Sequence, residues 1–292
     1  MIYLGTLVLL SLLILIHEAG HLAAAKLMGI PVSGFSVGFG PRLWSRRWGQ
    51  TEYSLRVFPL GGFVVPGVAS DSEFRAIALR KRLAFFLGGP LANLVVAVPL
   101  FGILNGLKRG FSLYDVVVAP FGQVIAACGQ LLSFLPQMFK DPTALSGVIG
   151  IVVEGGRLAE AGMAIELAIS LSISLAVLNL LPVPVLDGGQ ILMSCLEEMF
   201  PRLIRLRVAA TVIGILFLAG LMVYANVQDA VRYWGEKLEW RASNPETSPR
   251  HDLQIRRLAF HVAGADAVAA LGLGAVEGEV GGFDQDVRAL AG

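Results

Sequence analysis

Charged residues and cysteines are scarce in this sequence. Only 15% of its 292 residues are charged and the formal net charge is +1, so the composition gives no overall attraction for nucleic acid. The two cysteines, Cys128 and Cys195, have no CxxC spacing, which argues against a disulfide framework and against a thiolate zinc site. Hydrophobic residues, in contrast, make up 55% of the chain, and the mean hydropathy is +0.70. This composition indicates a membrane protein.

Long apolar runs mark the segments that could cross a membrane. The N-terminal run lacks the basic segment and cleavage site of a secretory signal, so we expect it to be retained as a helix. Residues 116–139 are also apolar, but prolines and glycines interrupt them, and a half-inserted or interfacial helix fits as well as a full crossing. Four other segments of about 20 residues or more are predicted spans: residues 2–27, 83–107, 165–186 and 208–227.

Basic residues predict the orientation of these spans. The loop between the first two spans is rich in lysine and arginine and poor in acidic residues, so it is predicted to be cytoplasmic and the N-terminus extracytoplasmic. Arg202, Arg205 and Arg207 agree with a second cytoplasmic loop after the third span. Four spans fit this charge distribution, whereas a fifth crossing at 116–139 would reverse the later loops.

The first loop also carries a strand pattern. In "TEYSLRVF", Tyr53, Leu55 and Val57 alternate with polar residues, and Gly-rich stretches lie on both sides, so we predict a small membrane-associated β segment at about 33–67. The predicted fold class is therefore an all-α polytopic membrane protein with about four transmembrane helices, this β segment and one possible half-inserted helix. Residues 1–240 are predicted to form the domain, and the Ser-, Pro- and Gly-rich residues 241–292 a flexible tail.

Two histidines and a glutamate interrupt the first span, in the sequence "HEAGH". Residues four apart share one face of a helix, so His17 and His21 can reach one metal ion, and Glu18 beside them can serve as a general base. Each ionisable group placed in a bilayer costs about 2.5–3.5 kcal/mol on insertion scales, and such groups usually mark a functional site. The pattern predicts a zinc hydrolase.

A catalytic zinc ion normally has three protein ligands, so a third must come from elsewhere. Asp187 and Glu166 are the acidic residues in or near the other spans. Glu166 is the weaker candidate because a carboxylate at the end of a span can reach water. Asp187 follows Pro182 and Pro184, which break the helix and let the chain approach a buried ion; a simple kink and turn is the alternative interpretation.

Two asparagines in the spans are further candidates. Asn179 could hydrogen-bond a substrate backbone or a developing oxyanion, or could equally join two helices. Asn93, in "GGPLAN", is explained first by helix packing, since an amide in lipid needs a partner, and is also a candidate for substrate contact.

Taken together, these motifs resemble those of the site-2 protease family of intramembrane zinc metalloproteases. HEAGH, GPLAN and NLLPVPVLDGG match its three signature motifs in order, over about residues 2–227. The resemblance implies that His17, His21 and Asp187 bind one Zn²⁺ ion and that Glu18 is the general base. It also implies that Asn179 assists substrate binding and that the β segment, with Tyr53, Leu55 and Val57, holds an extended substrate by strand addition.

The same resemblance implies partners and a location. Family substrates are membrane-spanning proteins, often membrane-tethered regulators, cleaved in or near the transmembrane segment, so we expect a bacterial cytoplasmic membrane as the location and no nucleic-acid partner. Unlike many bacterial relatives, the chain has too few residues between the second and third spans for a PDZ domain. The alternatives are a catalytically inactive scaffold or chaperone that binds transmembrane helices and, less well supported by the single polar cluster, an ion transporter.

Overall fold

The computed structural model describes residues 2–140 and 146–243. The predicted tail, 241–292, therefore lies almost entirely outside the described residues. Packing divides the chain into a unit of Met1–Val223 and a second unit from Tyr224 onward. In chain order, the elements are α1 (Ile2–Leu27), β1 (Val32–Trp48), β2 (Thr51–Pro66), α2 (Asp71–Ala76), α3 (Leu79–Arg109), α4 (Ala119–Lys140), α5 (Val148–Glu160), α6 (Ala164–Asn179), α7 (Asp187–Met199) and α8 (Arg207–Ser243).

Within the described ranges, four helical stretches are long and apolar enough to cross a membrane. They are Tyr3–Leu27, Leu79–Arg109, Tyr114–Pro136 and Pro201–Gly235. The chain is therefore an integral membrane protein, as its composition predicts. The predicted spans 2–27, 83–107 and 208–227 lie within the helices α1, α3 and α8, respectively.

The other two apolar segments need separate descriptions. Helix α6 covers the predicted span at 165–186 only as far as Asn179, and the next helix begins at Asp187, so the predicted break in this span is observed but starts before Pro182. Pro182 and Pro184 lie in this break, where their missing N–H groups prevent helical bonding. Residues 116–139, in contrast, form a π turn at Tyr114–Val118 followed by the continuous helix α4, which has the length and composition of a full span.

The β segment predicted at 33–67 is observed at residues 32–66. β1 and β2 pair antiparallel across a tight turn, with Trp48 opposite Thr51. Both strands bend, so that Phe35 of β1 has Tyr53 as one partner and Val64 as another. Gly61, with φ at 119°, provides one of the bends in β2 because glycine adopts positive φ readily. As a result, the end of β2 lies beside the first half of β1.

Close packing of α1 on α3 brings the HEAGH segment next to the second span. A Cβ atom added at Gly20 would lie 2.2 Å from the carbonyl oxygen of Gly88, and one added at Gly88 would lie 2.5 Å from the carbonyl oxygen of Gly20. The two helices therefore approach at backbone contact, which only small residues permit. This contact places the histidines of α1 directly against α3.

Candidate metalloprotease site

A cavity of about 250 Å³ opens beside the histidines of α1. Its wall combines residues of α1, the end of β2, the start of α3, and the broken segment after α6. The lining residues are His17, Glu18, His21, Gly62, Phe63, Val64, Phe85, Phe86, Asn179, Val185 and Asp187.

His17, His21 and Asp187 converge at one end of this cavity. The Nε2 atoms of the two histidines lie 3.2 Å apart, and Oδ2 of Asp187 lies 3.1 Å from Nε2 of His17 and 3.3 Å from Nε2 of His21. Both imidazoles are buried, and the aspartate is partly buried. Residues separated by 170 positions in sequence are thereby joined in a single cluster.

Local sequence explains how Asp187 reaches the histidines. The chain after Asn179 turns back over the start of α7, where a Cβ atom added at Gly188 would lie 2.0 Å from the Leu180 carbonyl oxygen. One added at Gly189 would lie 1.8 Å from the Val183 carbonyl oxygen. The two glycines after Asp187 are therefore required for this close approach, which holds the aspartate at the first residue of α7.

A chain of polar contacts holds the same segment from its other side. The side-chain amide nitrogen of Gln190 donates to the Pro184 carbonyl oxygen, and Nη2 of Arg207 donates to Oε1 of Gln190 at 2.7 Å. Nη1 of Arg207 also donates to both carboxylate oxygens of Glu197, at 2.8 and 3.1 Å. The non-helical segment that leads to Asp187 is thus fixed to the start of α8.

The far nitrogen of each imidazole also has a hydrogen-bond partner. Nδ1 of His21 lies 2.8 Å from the carbonyl oxygen of Phe85, to which it can only donate. Nε2 of a neutral His21 is then unprotonated and able to bind a metal. Nδ1 of His17 lies 3.3 Å from the side-chain amide of Asn93, which is fully buried.

This donor set fits a zinc ion. With metal–ligand bonds of about 2.0–2.2 Å and tetrahedral angles, ligand atoms lie roughly 3.3 Å apart, and the three donor atoms of His17, His21 and Asp187 are separated by 3.1–3.3 Å. A Cβ atom added at Gly89 would lie 2.4 Å from Nε2 of His21 and 2.6 Å from Nε2 of His17. The glycine therefore leaves open the space between the two ligand nitrogens.

Glu18 lines the cavity next to this cluster, beside the end of β2. A Cβ atom added at Gly62 would lie 2.7 Å from Cγ of Glu18. Within the described ranges, residues 62–66 pair only with β1, while Gly62, Phe63 and Val64 line the cavity. An extended backbone in the cavity would therefore lie next to both the end of β2 and Glu18.

The other predicted site residues lie in different surroundings, and only one of them lines the cavity. Asn179 lines the cavity, and its amide nitrogen donates to the Leu175 carbonyl oxygen of its own helix at 2.9 Å. Asn93 lies behind His17 rather than in the cavity wall. Glu166, the weaker ligand candidate, instead forms an ion pair of 2.6 Å with Lys108.

The strand residues predicted to hold substrate are not among those that line the cavity. Tyr53 packs its ring on Phe35 and accepts a hydrogen bond from Lys26 at 3.0 Å, while Leu55 and Val57 are exposed elsewhere on the sheet. Gly62, Phe63 and Val64 occupy the cavity wall instead, although the sequence patterns do not mark them as site residues. Their stretch, "GGFVV", falls within the β segment predicted at about 33–67, but its position relative to α1 depends on the bends of β2.

Comparisons with known proteins agree with this geometry. The family model described as peptidase family M50 matches residues 5–223. A Clostridium perfringens protein named "Putative zinc metalloprotease" is 26% identical over 321 residues, covering 76% of this chain and 96% of the relative. A Campylobacter jejuni protein of the same printed name is 24% identical over 348 residues, covering 80% and 94%.

Higher identity is confined to shorter stretches. A Chlamydia trachomatis protein, also named "Putative zinc metalloprotease", is 40% identical over 129 residues, and this match covers 37% of this chain but only 21% of the relative. The family match, in contrast, extends through α1, the sheet, α3, α6 and α7. Because it includes the His17, His21 and Asp187 cluster together with Glu18, the chain belongs to peptidase family M50, the site-2 protease family.

Proposed function

We propose that this protein is a zinc-dependent intramembrane endopeptidase that hydrolyses peptide bonds in or near the transmembrane segments of membrane-protein substrates. The single observation that carries the proposal is the meeting of His17, His21, Asp187 and Glu18 at one cavity among apolar helices. A soluble substrate would not require ionisable groups to be placed in this environment at the cost that the bilayer imposes.

Each polar residue of the site has a separate role in this proposal. His17, His21 and Asp187 hold the zinc ion, which when bound activates water and polarises the scissile carbonyl. Glu18 accepts a proton as general base and returns it to the leaving amine. Asn179, which also lines the cavity, has an amide that can contact the substrate backbone near the reacting carbonyl.

The substrate is proposed to bind as an extended strand along the end of β2. In the described structure, residues 62–66 pair with β1 along one edge only. The backbone groups of the other edge can form hydrogen bonds with an extended segment. A transmembrane helix must unwind to bind in this way, because a helix keeps its carbonyl groups in internal hydrogen bonds. Helical stability at the cleavage point would therefore limit which substrates are cut.

The proposed substrates are single-pass or few-pass membrane proteins, including membrane-tethered regulators, in a bacterial cytoplasmic membrane. The apolar helices and the bacterial origin of the relatives support this location. The N-terminus is proposed to be extracytoplasmic, on the basis of the basic first loop.

Substitution of Glu18→Gln tests this function. The protein and its variant are purified in detergent, bound zinc is measured, and cleavage of a transmembrane model substrate is followed. We expect the variant to retain zinc and to lose activity by about 10²–10⁴-fold, the usual contribution of a general base. Equal cleavage by both forms would contradict the assigned base. Substrate binding without cleavage by the zinc-loaded wild type would favour an inactive scaffold.

A further inference from the structure

Asn93 occupies an unusual position for a buried amide. Its side chain is 0% exposed, and the one polar side chain that its amide contacts in the described structure is His17, at Nδ1. The amide nitrogen faces His17, and the amide oxygen is buried without a hydrogen-bond partner among the described residues. A buried acceptor without a partner costs about 1–3 kcal/mol, and nothing in the contacts of the amide oxygen holds it in this orientation.

The orientation also conflicts with metal binding by His17. If the amide nitrogen donates to Nδ1, the proton of a neutral imidazole must lie on Nε2, the atom that faces Asp187 and His21. A protonated Nε2 has no free electron pair and cannot bind zinc. Rotation of the amide by 180° exchanges its oxygen and nitrogen without changing the space that the side chain fills.

We propose that the side-chain oxygen of Asn93 accepts a hydrogen bond from Nδ1–H of His17 and thereby fixes the tautomer in which Nε2 binds zinc. Asn93 is then a positioning residue for the metal ligand, not a contact of the substrate. It completes a pair of such contacts, because the Phe85 carbonyl oxygen already performs this role for His21 at 2.8 Å.

Neighbouring contacts support a fixed position for Asn93. The hydroxyl group of Ser172, on α6, donates to the backbone carbonyl oxygen of Asn93 at 2.8 Å, and Ser172 is also fully buried. α3 is thereby fixed to α6 at the residue that contacts His17. The backbone position of the asparagine is thus set independently of its side-chain amide.

This inference rests on the proposed zinc site, and zinc affinity tests it directly. Zinc dissociation constants are measured by competition with a chromogenic chelator for the wild type, Asn93→Leu and Asn93→Asp. We expect Asn93→Leu, which has no acceptor, to bind zinc about 10- to 100-fold more weakly. Asn93→Asp retains an acceptor oxygen and should bind zinc about as tightly as the wild type.

Asn105→Leu is the matched control. Asn105 is another buried asparagine of α3, 4% exposed, but its amide bonds to Gln123 and to the Asp115 carbonyl oxygen, away from the histidines. Its loss should lower stability without changing zinc affinity. Equal zinc affinity of Asn93→Leu and the wild type would overturn the inference while leaving the protease proposal intact, whereas absence of zinc from the wild type would contradict the proposed function itself.

A measurement on the wild type avoids dependence on variants that fail to fold. The chain has four histidines, so ¹⁵N-labelled imidazoles give few signals. In the zinc-loaded protein we expect His17 to carry its proton on Nδ1, in a hydrogen bond. A proton on Nε2, or zinc bound through Nδ1, would overturn the inference.

Discussion

At the scale of single residues, the metal site depends on positions that carry no functional group. The proposed ligands His17 and His21 follow from the HExxH spacing, but the space between their Nε2 atoms is provided by Gly89 of another helix. Its neighbour Gly88 permits the backbone contact with Gly20 that brings this helix close. The site therefore depends on the close approach of α1 and α3 as much as on the chemistry of its side chains.

Substitution of Gly89→Ala should remove zinc binding. The added Cβ atom would lie within 2.6 Å of the Nε2 atoms of His17 and His21, so one ligand must move. Loss of a contact that orients a ligand usually weakens metal binding about 10- to 100-fold, and we expect zinc affinity to fall by at least this much. Overpacking should also lower the stability of the protein by about 1–3 kcal/mol. Metal analysis and thermal unfolding in detergent measure both effects.

Gly122→Ala provides the control for this prediction. Gly122 lies in α4, and apart from its chain neighbours and the nearby backbone of its own helix, no described atom comes within 4 Å of its added Cβ. This variant should retain zinc and stability, since alanine in an open helical position is tolerated. Full zinc binding by Gly89→Ala would contradict the position of the metal between the two histidines.

At the scale of elements, the break between α6 and α7 decides where the third ligand lies. Pro182 and Pro184 predict that the helix is interrupted, and Asp187 is predicted as a ligand from its position after them. What the sequence does not show is the polar chain from Pro184 through Gln190 to Arg207, because these partners lie on different elements. The break is therefore a fixed loop, held from α8.

Glu197→Leu tests this anchor. Glu197 is 5% exposed and pairs with Arg207 through both carboxylate oxygens, so its removal leaves a largely buried charge without its partner. We expect stability to fall by about 3–5 kcal/mol. Zinc affinity should fall as well, because Arg207 also contacts Gln190 and fixes the loop that carries Asp187.

A double variant separates the two effects. Replacing both partners, as Glu197→Leu with Arg207→Met, removes the unpaired charge and should recover much of the stability, since apolar replacements of buried ion pairs are often neutral. Its zinc affinity should remain low because the contact with Gln190 is lost. Glu52→Gln, in an exposed pair with Arg42, is the control and should cost about 0–1 kcal/mol without affecting zinc. Unchanged zinc affinity in the double variant would contradict the anchoring role.

At the scale of the whole molecule, the structure shows how the two basic loops lie relative to each other, whereas the positive charges predict the membrane side of each loop separately. Arg82, near the start of α3, forms an ion pair of 3.1 Å with Glu198 near the end of α7. The first basic loop and the link before α8 therefore lie at the same end of the helices, which is the arrangement that the positive charges predict. α3 has 31 residues, about 46 Å at 1.5 Å per residue, so it is long enough to reach from one face of a bilayer to the other.

Single-cysteine labelling measures this arrangement. In a background without Cys128 and Cys195, we expect Gln50→Cys and Arg202→Cys to react with an impermeant reagent from the same side of the membrane, and Phe111→Cys, beyond the end of α3, to react from the other. Charge predicts that the first two lie on the cytoplasmic side. Reaction of residues 50 and 202 from opposite sides would contradict the predicted orientation of the later helices.

The sequence by itself determined the membrane class and the β segment at about 33–67, and it singled out His17, Glu18, His21 and Asp187 as the candidate chemical groups. These features depend on hydrophobic length, on strand alternation and on helical spacing, all of which are local. Tertiary structure decided that α6 ends at Asn179, that Gly62–Val64 rather than Tyr53–Val57 line the cavity, and that Asn93 faces His17. The physical reason is that these three features depend on strand bends and on contacts between residues distant in sequence, which a local sequence pattern does not reveal.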